Sequence, residues 1–192
     1  MPADDKINLL ARVARSAGKP GVPADPSKPL SILSLAAASY GARPDDDATV
    51  PTGFDPVAVA LFESIVEGAY LVASADGVID EDERKTFEQV VVTACGGAVA
   101  PKQIAALVGD LADQLEEDGI DRRLTMLAKQ VTKPEHALEV LRIGALLAQV
   151  TDDVGPEERV VLTKLAAAMA LPAESVDRAL GDVKDALDAA KA

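Results

Sequence analysis

Hydrophobic positions recur every three to four residues over long stretches of the second two-thirds of the chain. That period marks one buried face of an α-helix, because 3.6 residues complete a turn. It predicts helices over about 56–75, 80–95, 101–117, 120–131, 134–150, 156–170 and 173–190. The stops between them are turn-like: Ala75-Asp76-Gly77, Cys95-Gly96-Gly97, Glu117-Asp118-Gly119-Ile120, Thr132-Lys133-Pro134, Asp152-Asp153-Val154-Gly155-Pro156 and Leu171-Pro172. Thr132 and Glu135 have the spacing of a capping box.

The first third of the chain reads differently. Residues 4–17 predict a short helix with Ile7, Leu10, Ala14 and Ala17 on one face. Lys6, Arg12 and Arg15 would suit a membrane surface, but the stripe is short and lacks an aromatic anchor, so docking on the chain's own core is expected. Residues 30–39 predict one more short helix. Prolines fall at 20, 23, 26 and 29, and eight of the twelve precede residue 57. Proline cannot donate the helical N–H and clashes with the preceding turn, so residues 18–56 are expected to be a linker or an extended strap. The expected architecture is all-α: a compact bundle of about seven core helices over 56–192, preceded by an extension over 1–55.

Composition sharpens this. The 192 residues include 48% hydrophobics but only 3% aromatics and no Trp. Ala and Leu favour helix, whereas a large sheet would need β-branched and aromatic residues. No apolar run is expected to span a bilayer, which takes ~18–20 residues, and the apolar stretch at 30–42 lies too far in for a secretion signal. A cytoplasmic location is expected. The net charge is −13. Residues 1–55 are nearly neutral, so the excess lies in the helical part. A nucleic-acid partner is excluded by the missing basic footprint; cations or basic protein surfaces fit the charge.

The helical part also repeats. With an offset of 76, Gly68, Ala69, Leu71 and Asp76 fall on Gly144, Ala145, Leu147 and Asp152. After a one-residue deletion, Glu83, Arg84 and Phe87 fall on Glu158, Arg159 and Leu162. Ile104–Leu111 then overlays Val176–Val183. Two copies, about 57–117 and 134–190, are too few for a solenoid and imply a bundle with a pseudo-two-fold axis.

Both copies carry acids at the turn between their first two helices. In the first copy Asp80 suits an N-cap, Glu83 completes a capping box, and Gly77 suits a helix end. Glu81 and Asp82 favour the helix dipole. Asp76 is not explained that way, and in the second copy Gly155 cannot supply a cap side chain. What recurs is Asp…Glu: Asp76 with Glu83, and Asp152 with Glu158. Two carboxylates held together need a compensating charge. A Ca²⁺ or Mg²⁺ ion would supply it through oxygen ligation, with Asp80 and Asp153 as weaker ligands. Arg84 and Arg159, as salt-bridge partners, are the alternative. The EF-hand spacing is not met.

These turns, Ala75-Asp76-Gly77-Val78-Ile79-Asp80-Glu81-Asp82-Glu83 and its echo at 151–162, resemble those of the TerB-like tellurite-resistance family. The resemblance covers about 57–190. It implies an all-helical fold with the motif acids as divalent-metal ligands on an acidic surface. It also implies an accessory or scaffold role in a stress response, with protein partners that include membrane-bound TerC-type proteins, and so a peripheral place at the inner membrane. The second motif departs from the family pattern, since Asp153 replaces Gly and the turn is one residue shorter.

An enzyme is not expected. His136 stands at a helix start, and Cys95 ends an apolar helix as a buried thiol. A single Cys and a single His exclude Cys/His zinc sites, and Cys95–Lys102 lacks the spacing and setting of a phosphate loop. The functional expectation is a non-catalytic protein that binds divalent cations, protein partners or both. The alternatives are a metal-free interaction module and a metal-dependent hydrolase built on the paired carboxylates.

Overall fold

A computed structural model describes residues 3–16, 31–42, 55–77, 79–149 and 154–191. Among the described residues all regular structure is helical: α1 (Ala3–Arg15), α2 (Ile32–Gly41), α3 (Pro56–Ala73), α4 (Glu81–Ala94), α5 (Pro101–Asp118), α6 (Ile120–Gln130), α7 (Pro134–Leu147), α8 (Pro156–Ala168) and α9 (Ser175–Lys191). The seven helices expected from 56 onward are all present, with no end moved by more than three residues.

The bundle is built around the crossing of α3 and α7. Both helices are buried over most of their length because their apolar residues run nearly all round. Gly68 and Gly144, paired by the sequence repeat, both sit at this crossing. A Cβ on Gly68 would lie 2.5 Å from Val140 Cγ1, and one on Gly144 would lie 3.8 Å from the Gly68 carbonyl. The missing side chains let the two backbones close up. α3 is long and apolar enough to cross a membrane, contrary to the expectation that no run reaches that length. Yet it carries Glu63 and Glu67, 61% of it is buried, and it packs against α2, α5, α6, α7 and α8 as the bundle's axis.

Among the described residues nine helices share the core rather than seven, since α1 and α2 join it. Ile7, Leu10 and Ala14 are buried as the helical stripe requires, and Leu9, Ala11 and Val13 join them; Ala17 lies outside the described residues. Tyr40 of α2 packs on Phe62, ring centroids 4.7 Å apart. One pair on α7 anchors both helices. Arg142 donates to the carbonyls of Val13 and Ala14, 3.3 and 3.0 Å away, at the C-terminus of α1. Its partner Glu139 binds it at 2.8 Å and accepts from the Leu33 N–H, 3.3 Å away, at the start of α2. A cation at a helix C-terminus and an anion at an N-terminus both complement the helix dipole.

The expected cap at Thr132 is not formed. α7 starts one residue later, with Lys133 at the N-cap and Pro134 at the first helical position, and no side chain caps it. Proline there needs no N–H and presets φ, which defines the start without a capping box.

Candidate functional site

Each turn is set by local chemistry. α3 ends at Ser74, whose Oγ donates to the Tyr70 carbonyl at 2.8 Å. Gly77 follows with φ of 145°, which only glycine adopts without strain. α4 then opens on the capping box expected from sequence. Asp80 Oδ1 accepts from the N–H groups of Asp82 and Glu83 at 2.8 and 2.9 Å, and Glu83 Oε2 accepts from the Asp80 N–H at 3.0 Å. In the second turn Glu158 Oε2 accepts from the Gly155 N–H at 2.6 Å. This is the half-box that remains when glycine holds the cap.

The two turns share one cleft. A cavity of about 40 Å³ is lined by Ala73, Asp76, Ile79, Glu83, Phe87, Leu147, Ala148 and Glu158. That volume holds one or a few water-sized oxygens. Its floor is apolar, and its acids come from both copies: Asp76 follows α3, Glu83 opens α4, and Glu158 opens α8. Tyr70 stacks edge-on against Phe87, centroids 5.7 Å apart, and fixes the α4 side. Burial pushes the Glu158 carboxyl above its ordinary range. The Gly155 N–H opposes this, while the charges of Asp76 and Glu157 add to it. The charge of Asp76 therefore reaches Glu158, 82 positions later in the chain.

The arginines expected as compensators are engaged elsewhere among the described residues. Arg84 pairs with Glu81 at 2.9 Å and reaches Glu88 at 4.0 Å. Arg159 bridges to Asp177 on α9. Three of the four principal acids expected from sequence thus line the cleft. The fourth, Asp152, and the weaker Asp153 lie outside the described residues. Asp80 Oδ1 takes both cap bonds, and Asp80 is not among the residues that line the cleft. Among the described residues no group of three or more Asp, Glu, His or Cys side chains is arranged to hold a metal ion.

Two other groups keep the roles expected of them. Cys95 is buried, and burial pushes its thiol up to about 12, so it holds its proton at neutral pH. His136 is half-exposed in the first turn of α7. Sequence reasoning did not find the buried ion pair of Glu67 and Arg123, 2.7 Å apart, which joins α3 to α6 with Asp118 as a further partner of the arginine at 3.2 Å. Its only signal was an acid inside an otherwise apolar run, Ser64 to Leu71. Nor did it find the apolar lining of the cleft, Phe87, Leu147 and Ala148, whose spacing reads only as core.

A family model described as tellurite resistance protein TerB matches residues 64–180, more than half of the chain. Comparison with curated proteins gave no match. Comparison with solved structures gave none either. The match spans the greater part of α3, all of α4 to α8 and the start of α9, and so includes every residue that lines the cleft. The chain therefore belongs to the TerB tellurite-resistance family.

Proposed function

We propose that this TerB domain is a non-catalytic binding module whose cleft takes a divalent cation, Ca²⁺ or Mg²⁺, between its two acidic turns. One observation carries the reading: Asp76 and Glu83 of the first turn and Glu158 of the second line one small cleft. A hard cation would offset the repulsion among these acids by supplying the opposite charge to carboxylate oxygens. Glu83 and Glu158 each use one oxygen on a cap, which leaves the second for a ligand. Asp152, the counterpart of Asp76, would complete the set, with water filling the remaining positions. Repeat-paired glycines meeting at the α3–α7 crossing support the pseudo-two-fold arrangement this requires.

The acidic surface and the family support reading the module as an accessory protein of a tellurite-type stress response. Its partners would be proteins, membrane-bound TerC-type ones among them. The competing reading, a metal-free scaffold, is favoured by the capping role of Glu83 and Glu158. Thermal melts separate the two. A cation at ~100 times its Kd stabilises by about 2.7 kcal/mol, roughly 5–10 °C for a chain of this size. The rise should appear in the wild type, vanish with chelator and be lost in Asp76→Asn. A wild-type melt unmoved by Ca²⁺, Mg²⁺ and Mn²⁺ would leave the scaffold reading standing.

A further inference from the structure

α1 lies outside the family-matched span, yet it fills a place the fold has built twice. Under the repeat, α3, α4 and α5 correspond to α7, α8 and α9. α6 packs on α3, α5 and α8. The same three positions on the other side of the pseudo-axis belong to α7, α9 and α4, and those are the helices that α1 packs on most, with a smaller contact to α2. α6 is supplied from within the matched span, as the connection between the two copies. Its counterpart groove has no helix of the matched span in it, and α1 enters it from the start of the chain.

The contact has the features of recognition as well as burial. Ile7, Leu10, Val13 and Ala14 are buried in the groove. Three helix C-termini are then satisfied by arginines. Arg15 donates to the Thr93 carbonyl at 2.6 Å at the end of α4, and Arg12 donates to the Ala190 carbonyl at the end of α9. In return Arg142 of α7 caps the end of α1. Exposed carbonyls at a helix end attract cations, so the groove reads both an apolar stripe and two arginines in the last turn. A helix of 13 residues is too short to persist alone in water, so α1 orders as it docks. Sixteen residues separate Arg15 from Ile32, a tether that reaches up to roughly 50 Å when extended.

We propose that α1 is a separable ligand of the groove formed by α4, α7 and α9, and that this groove accepts α1 from a second copy of the chain as well as from its own. The cis arrangement dominates in dilute protein, because a tether of sixteen residues gives an effective concentration on the order of millimolar. The proposal does not depend on the cleft or its cation.

The experiment starts from the full chain, folded, with a specific protease site placed within residues 17–30 and then cut. The N-terminal piece is expected to remain with the body through gel filtration. A fluorescein-labelled synthetic peptide of residues 1–16 is expected to replace it, with unlabelled peptide competing. A peptide carrying Arg12→Ala and Arg15→Ala should bind at least ~10-fold more weakly, since hydrogen bonds to charged groups are each worth more than one factor of ten. Unfolding of the body on cleavage would overturn the proposal, because α1 would then be an integral core element. So would free elution of the N-terminal piece, or equal binding of the arginine-less peptide.

Discussion

The two glycines at the α3–α7 crossing predict opposite outcomes for the same substitution. In Gly68→Ala the new Cβ would stand 2.5 Å from Val140 Cγ1, with Leu127 and Leu165 methyls at 3.7 and 3.8 Å. Carbon atoms prefer about 3.5–4.0 Å, so roughly 1 Å must be found. Val140 is fully buried, and a β-branched side chain in a helix is held to one rotamer. Overpacking of this kind costs about 1–3 kcal/mol, against a gain of about 1 kcal/mol in helix propensity. Gly68→Ala should therefore destabilise by about 1 kcal/mol, within a range of ~0–2. In Gly144→Ala the nearest atoms lie at 3.4 and 3.5 Å, Val72 Cγ2 and Leu162 Cδ2, which is near ordinary contact. Most of the propensity gain survives, and the variant should be neutral or stabilised by up to ~1 kcal/mol. Urea unfolding at constant m-value measures both. In a Val140→Ala background the clash is gone, and Gly68→Ala should become stabilising. If Gly68→Ala costs the same in both backgrounds, or Gly144→Ala costs more than Gly68→Ala, the close-approach account is wrong.

Three further outcomes follow from single sites. Ala170 closes α8 in the left-handed region at φ of 55°, with the Leu171 N–H bonded to the Ala166 carbonyl at 2.9 Å; Ala170→Gly should stabilise by about 0.5–1 kcal/mol in urea unfolding, since glycine carries no Cβ penalty there. Arg142→Ala should cost about 2–4 kcal/mol, because it leaves the buried Glu139 carboxylate without its partner; adding Glu139→Gln should restore part of the loss. Glu158 carries a pH signature. Its folded pKa is raised, so the folded state holds the proton longer than the unfolded one, and stability falls as pH rises from the ordinary carboxylate range through the raised value. Glu158→Gln should reduce that fall in melts taken from pH 4 to 7.

The helices were legible in the sequence because apolar spacing survives whatever the helix packs on. The capping box of Asp80 and Glu83 was legible for the same reason, being complete within four residues. Thr132 failed as a cap because Pro134 fixes the helix start on its own, which a spacing rule does not weigh. α1 was correctly placed on the core, but its groove was not foreseeable: the partners Thr93, Arg142 and Ala190 lie 78 to 178 residues away. The Glu67–Arg123 pair was hidden likewise, since an acid in an apolar run shows its cost but not its partner. For the cleft, the repeat equated Asp76 with Asp152 and Glu83 with Glu158. One site shared by both copies follows from the repeat only if the copies face each other; the fold brings Asp76, Glu83 and Glu158 to one cleft and puts Arg84 and Arg159 onto Glu81 and Asp177.

The cleft is tested most directly at Glu158 itself. Carbon-detected NMR of its side-chain carboxyl, titrated with and without Mg²⁺ or Ca²⁺, reads the charge environment of that one group. Without cation, Glu158 should titrate above the ordinary carboxylate range, and Asp76→Asn should bring it down. With saturating cation its titration should move well below that range, since a bound divalent ion favours the ionised form. A Glu158 titration that is the same with and without cation, while Asp76→Asn still shifts it, would show two acids sharing a cleft that no metal enters.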